Sequence, residues 1–92
     1  MIKSVSGSAT HQFIYSGKSK FSGMNQQIAL LRLNELNDAN SLNDLGNSNS
    51  VGLHKLKGIF RQFWSIDING PWRIIFKFKN GNAYEVEIID TH

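Results

Sequence analysis

The sequence predicts an α+β fold: a short N-terminal strand and two helices packed on a small, mainly antiparallel sheet that ends in a three-strand meander. Three observations predict it. Helix-spaced apolar residues are confined to the first forty or so positions. From Trp64 to Ile88 apolar and polar residues alternate with period two. Two Asn-Gly turns punctuate that alternation. Helical patterning followed by a run of strands is the signature of helices segregated to one side of an antiparallel sheet. A chain of 92 residues makes one domain, spanning 1–92.

Taken in order, Ile2 to Val5 reads as a short first strand. Ser6 to Ser8 offers N-cap residues, and Thr10 to Ser16 carries Phe13 and Ile14 before Gly17, which predicts a short helix. The polar run from Gly17 to Gly23 is a break. Met24 to Asp38 reads as a second helix with Ile28, Ala29, Leu33 and Leu36 along one side. Met24 and Leu31 widen that stripe, while Arg32 and Glu35 interrupt it. Ala39 to Val51 is rich in Asn, Ser and Gly and reads as a loop with room for one helical turn, anchored by Leu42 and Leu45.

The meander follows. Trp64, Ile66 and Ile68 share one face, as do Trp72, Ile74, Phe76 and Phe78, and then Tyr84, Val86 and Ile88. A three-residue loop at 69–71 pairs Ile68 with Trp72, Ile66 with Ile74 and Trp64 with Phe76. A three-residue loop at 80–82 pairs Phe78 with Tyr84, Phe76 with Val86 and Ile74 with Ile88, and sets Lys77 opposite Glu85. A two-residue Asn-Gly loop there would put Lys77 opposite Tyr84 and break the faces, so the longer loop is expected. One face of the meander is then apolar and covered by the helices. The other carries Asp67, Arg73, Lys77 and Lys79.

Composition bounds the function. The chain is 40% hydrophobic and 11% aromatic, enough for a small core. It has no cysteine, which excludes disulfides and thiolate metal sites and suits a reducing, cytoplasmic setting. Met1-Ile2-Lys3-Ser4 leads into polar sequence, not an apolar signal segment, and no apolar run reaches membrane-spanning length. The net charge of +3 is compatible with nucleic acid without demanding it. Residues 1–53 hold four Lys/Arg against three acids and residues 54–92 hold six against four, with Lys55, Lys57 and Arg61 in one short segment.

Two of the three histidines, His54 and His92, fall in that second half with Lys57, Arg73 and Asp90. Acid–base groups and cations beside a small sheet are what phosphodiester cleavage requires. Arg73 faces Asp67 on one neighbouring strand and Ile89 on the other. Regular alternation puts Asp90 and His92 on the apolar face, so they reach Arg73 only where the chain ends, twists or bulges after Ile89. His54 and Lys57, three apart, would share a face in a helical turn. Each residue also has a plain structural reading. Arg73 with Asp67 is an ordinary cross-strand pair. Lys55, Lys57 and Arg61 fit a solvated loop, and Asp90-Thr91-His92 fits a frayed tail. His54, Asp90 and His92 could form a two-histidine, one-carboxylate metal site, although the surrounding lysines repel a cation. His11 sits in the first helix without companions and is assigned no role.

A run of segments then resembles one family. These are Ala39-Asn40-Ser41-Leu42-Asn43-Asp44-Leu45, Leu53-His54-Lys55-Leu56-Lys57-Gly58, Phe63-Trp64-Ser65-Ile66, Asn69-Gly70-Pro71-Trp72-Arg73-Ile74, Gly81-Asn82-Ala83-Tyr84 and Asp90-Thr91-His92. In this order and spacing they resemble the HigB-type toxins of the RelE/ParE superfamily. Residues 1–38 match only in layout. The resemblance implies a ribosome-dependent messenger RNA endonuclease of a type II toxin–antitoxin system, neutralised by a helix-turn-helix antitoxin of HigA type. It implies contact with operator DNA only through the antitoxin complex, and no membrane partner. His54, Lys57, Arg73, Asp90 and His92 carry over as catalytic residues, with Lys55, Arg61, Lys77 and Lys79 as RNA-binding cations. Two departures stand out. Lys55 occupies a position where the family often has proline, which loosens the loop. Thr91 stands where several members have tyrosine, a base-stacking surface worth about 1–3 kcal/mol.

The implied chemistry needs no cofactor and no metal, because the RNA 2′-hydroxyl is the nucleophile. The protein has to remove that proton, stabilise the phosphorane and protonate the leaving 5′ oxygen. A histidine suits either proton transfer. Arg73 or Lys57 would clamp the phosphate, a contact worth about 10²–10³ in rate. Asp90 either holds His92 in a useful tautomer or acts as base. The alternatives are a non-catalytic toxin of the same superfamily that binds a target such as DNA gyrase, and a small basic domain that binds an acidic partner. Neither needs clustered histidines.

Overall fold

The structure is a computed structural model and describes residues 1–46 and 51–91. Three helices precede a four-stranded antiparallel sheet. They are α1 (Ser8–Ser16), α2 (Gln26–Asp38) and α3 (Leu42–Gly46), followed by β1 (His54–Lys55), β2 (Trp64–Asp67), β3 (Trp72–Lys79) and β4 (Asn82–Asp90). The strands lie in sequence order, β1-β2-β3-β4. The α+β class and the consecutive antiparallel pairing of the last three strands match the sequence reading. The edge strand β1 was not foreseen.

The helices form for local reasons. α1 starts after Gly7, which offers no side-chain cap, and ends at Gly17 in the left-handed region, whose N–H donates to Phe13 O. The expected Ser cap is therefore not used. α2 starts two residues later than the sequence suggested, because the Asn25 side chain caps it by accepting from Ile28 N at 3.0 Å. In α3 the Asp44 carboxylate accepts from the N–H groups of Asn40 and Ser41 at 2.8 and 3.2 Å, closing the single turn.

The helices cover one face of the sheet. Phe13, Ala29, Leu33, Leu36 and Leu45 meet Ile66, Ile74, Phe76, Val86 and Ile88 in one core. The α2 stripe differs from expectation at two places. Leu31 points out and is 53% exposed, whereas Arg32 is buried. Burial is tolerated because Arg32 Nε donates to Asp67 O at 3.0 Å and Nη1 pairs with Glu35 at 2.8 Å.

The first segment is not a strand. Ile2 and Val5 make isolated parallel bridges to Ala83 and Val86. Lys3 and Ser6 donate N–H groups to Ala83 O and Val86 O, and Ala83 N and Val86 N return bonds to Met1 O and Ser4 O. The segment thus straps the outer edge of β4. Farther along, β4 receives α1: Ile88 N donates to buried Thr10 Oγ1 at 3.0 Å.

The register confirms one hairpin and corrects the other. Ile66 pairs with Ile74 and Trp64 with Phe76, as expected, and Ile68 N donates to Trp72 O. At the second turn Lys79 pairs with Asn82 and Lys77 with Tyr84, so the loop has two residues, Asn80 and Gly81. Both have positive φ, 52° and 78°, the geometry Asn-Gly favours. On the turn side of β4 the faces are exchanged: Phe78 pairs with buried Ala83, not Tyr84, and Tyr84 joins Lys77 on the open face. From Val86 on the expected faces return, because a bulge between Ile75 and Lys77 inserts one residue into β4. Glu85 takes the strained position at φ 52°, and beyond it Ile74 pairs with Ile88 as predicted.

Candidate functional site

The sheet face away from the helices is the candidate site. Register places His54 opposite Ser65, Ser65 opposite Ile75, and Ile75 opposite Glu87. Two residues along, Asp67 faces Arg73 and Arg73 faces Ile89. Period-two alternation therefore puts His54, Arg73 and Lys77 on one face. Strand spacing and rise set the His54 and Arg73 backbones roughly 12 Å apart.

Arg73 is braced. Its Nε lies 2.8 Å from Asp67 Oδ1, and Nη1 donates to Gly70 O at 2.6 Å and Trp72 O at 2.9 Å. Asp67 Oδ1 is buried and accepts no hydrogen bond from any described residue, so the pair is held by proximity of charge. Asp67 is itself fixed: Gly52 packs so close that a Cβ there would overlap the Asp67 carboxylate. Among the described residues Nη2 of Arg73 has no partner, which leaves a donor pair on a pre-oriented guanidinium. The cross-strand pair with Asp67 and the open donor pair thus belong to one guanidinium.

The other predicted cations divide. Lys77 sits 2.6 Å from Glu85 and 5.2 Å above the Phe63 ring. The pair is partly solvent-exposed and worth about 0–1 kcal/mol. Lys55 lies on the opposite face from His54, with Nζ 4.8 Å over the Trp64 ring. Lys57, Arg61 and Lys79 are exposed and take part in no ion pair among the described residues. His54 and Lys57 do not share a helical turn. His54 is in β1, Leu56 N donates to Phe63 O to extend that ladder, and Lys57 is extended before the turn at Gly58.

At the other end β4 continues in register to Asp90, which pairs with Trp72. No twist or bulge intervenes after Ile89, so Asp90 projects to the side away from Arg73. His92 lies outside the described residues. The tail does not fray through Thr91: its N–H and Oγ1 both donate to Pro71 O, at 2.9 Å each. That anchor was missed in the sequence, where nothing marks a threonine hydroxyl for a carbonyl twenty residues away. It places Thr91 against the turn that carries Gly70, the carbonyl partner of Arg73. The turn is itself pinned: Asn69 Oδ1 accepts from Asn25 N at 2.7 Å, and Trp72 Nε1 donates to Ser22 O at 3.2 Å. Among the described residues no three His, Asp or Glu side chains gather in a metal-ligating group.

These features define a small α+β domain whose helices back a sheet and whose open face carries a braced arginine and a histidine among exposed cations. Residues 8–92 match the HigB-like toxins, RelE-like toxins of type II toxin–antitoxin systems. The chain belongs to that family. A curated relative, "Endoribonuclease HigB" of Proteus vulgaris, is 48% identical over 40 residues, 44% of each chain. The match spans less than half the length of that relative. No described helix is long and apolar enough to cross a membrane.

Proposed function

We propose that the chain is an endoribonuclease toxin that cleaves messenger RNA on the ribosome, in the cytoplasm, and is neutralised by a helix-turn-helix antitoxin. The carrying observation is the open face: a braced Arg73 with an unpartnered Nη2 shares it with His54 and Lys77. Family membership and the name of the partial relative support the same reading. Arg73 binds the scissile phosphate and stabilises charge as the 2′-oxygen attacks. Lys57 adds a second cation from the neighbouring loop. His54 and His92 are the proton-transfer groups, and Asp90, which projects away from Arg73, acts only through His92, two residues on in the chain. Lys55, Arg61, Lys77 and Lys79 neutralise flanking phosphates. No bond to the protein forms, so no serine or cysteine nucleophile and no metal is required.

The test is message cleavage in a purified translation system. The parent should cut ribosome-bound message, and Arg73→Ala should cut about 10²–10³ more slowly with an unchanged melting curve. Growth arrest that persists in the Arg73→Ala strain would remove the phosphate-clamp role. Arrest of DNA synthesis with intact messages would move the chain to the gyrase-directed branch of the superfamily.

A further inference from the structure

The hairpin joining β1 and β2 carries a feature that the cleavage chemistry does not use. At its tip Ile59 is 90% and Phe60 47% exposed. Gly58 at φ 70° makes the turn, and the bonds Arg61 N to Gly58 O and Phe63 N to Phe60 O hold it in shape. Phe60 meets Phe63 edge-to-face with ring centroids 5.9 Å apart. Phe63 is in turn covered by the Lys77 ammonium, 5.2 Å from its ring. An aromatic column therefore runs from the exposed tip back to a cation of the open face. Exposed apolar side chains on a rigid turn disfavour water contact and mark a contact surface.

The charge around the tip identifies the occupant. Lys55, Lys57 and Arg61 lie in this hairpin, and no carboxylate occurs between Leu53 and Ile66. Bare aromatic surface set among unpaired cations suits a strand of stacked bases joined by phosphates: the ring takes a base, and the cations take the backbone. We propose that the Gly58–Phe63 tip is a nucleobase platform for single-stranded RNA, with a base stacked on Phe60 beside Ile59 and the flanking phosphates on Lys57 and Arg61. This rests on the ribonuclease reading for the kind of ligand. It adds a binding subsite at the end of the hairpin that begins at His54.

The test uses the full chain and a single-stranded 2′-O-methyl RNA, which lacks the nucleophile and so reports binding without cleavage. Phe60→Ala should weaken binding roughly 5- to 150-fold. Its salt dependence should stay that of the parent. Arg61→Ala should instead lower the slope of log affinity against log salt by about 0.7. Phe60→Trp should keep affinity and show fluorescence quenching on RNA addition, which a residue that only shapes the turn would not give. Parent-like affinity in Phe60→Ala would overturn the platform, and so would a parent that does not bind this RNA. Loss of antitoxin binding in Phe60→Ala with RNA binding intact would also overturn it, assigning the tip to a protein contact. Cleavage by the parent is scored separately. A parent that binds RNA through Phe60 but cuts no message would sink the nuclease reading and leave the platform standing.

Discussion

At the scale of single residues the proposed site rests on side chains held by several contacts each. Arg73 is held by two carbonyls and Asp67, and Asp67 is held against Gly52. Gly52 has φ 63°, where a side chain is strained, and the space a Cβ needs is filled by carboxylate. Gly52→Ala should therefore cost about 1–3 kcal/mol in urea denaturation. Cleavage should fall by more than that stability loss explains, because the displaced Asp67 no longer fixes Arg73. Arg73→Lys separates charge from shape. It keeps the cation but cannot reach two carbonyls and a phosphate together, so its cleavage rate should lie between those of the parent and Arg73→Ala. Thr91→Val keeps the N–H bond to Pro71 and removes the hydroxyl bond, costing at most about 1 kcal/mol on an exposed site. If the tail positions Asp90 and His92, cleavage should drop in that variant while melting barely shifts. Equal cleavage by Thr91→Val and parent would show that the anchor has no part in the chemistry.

Among the elements, the β3–β4 hairpin shows what sequence could and could not give. Alternation alone correctly identified the core-facing residues of β2 and β3 and those of β4 from Val86 onward, but it put Tyr84 where Ala83 is buried. It also implied a three-residue loop, because an unbroken ladder needs one to keep Phe76 and Val86 on the same side. The chain instead takes the tight Asn80-Gly81 turn that its dipeptide favours and repairs the faces with the bulge at Glu85. Alternation is insensitive to a loop residue traded for a bulge residue, so the ambiguity was physical. His54 and Lys57 failed for a similar reason. A spacing of three reads as one helical turn, whereas the short β1 ladder is decided by pairing with Ser65 and Trp64, distant in the chain. Arg73 opposite Asp67 was legible because both lie in regular strands. Glu85 supplies the prediction at this scale. Glu85→Gly should be neutral or slightly stabilising, since relief of the positive φ offsets a weak surface pair with Lys77. Glu85→Val should destabilise by about 1–3 kcal/mol, because a β-branched residue tolerates that backbone worst. A Val variant that melts with the parent would mean the bulge is not fixed at this position.

For the whole molecule, the helices and the proposed site occupy opposite sides of one sheet. Substitutions in the core and on the open face should therefore be separable. Phe76→Ala, which empties a fully buried site, should cost about 3–5 kcal/mol and lose function through unfolding. The open-face variants should lose function while folded. Toxin stripped with EDTA and then freed of the chelator should cleave message on ribosomes supplied with magnesium alone. Activity of stripped toxin that returns only with an added transition metal would favour the metal-binding reading of His54, Asp90 and His92.

The strap formed by residues 2–6 has a consequence of a different kind. β4 is nine residues long, and an unpaired strand of that length is a template for any other chain with free N–H and C=O groups. The strap and Thr10 occupy that edge, while at the far side of the sheet the exposed strand is only two residues long and bears a lysine. The fold is thereby guarded against joining its own copies edge to edge. Proline at positions 3 and 6 would remove the two donors the strap gives to β4 without touching the core or the open face. Such a variant should form higher-order, thioflavin-binding assemblies at concentrations where the parent stays dispersed. Without the strap, self-association would remove the toxin before any antitoxin had to.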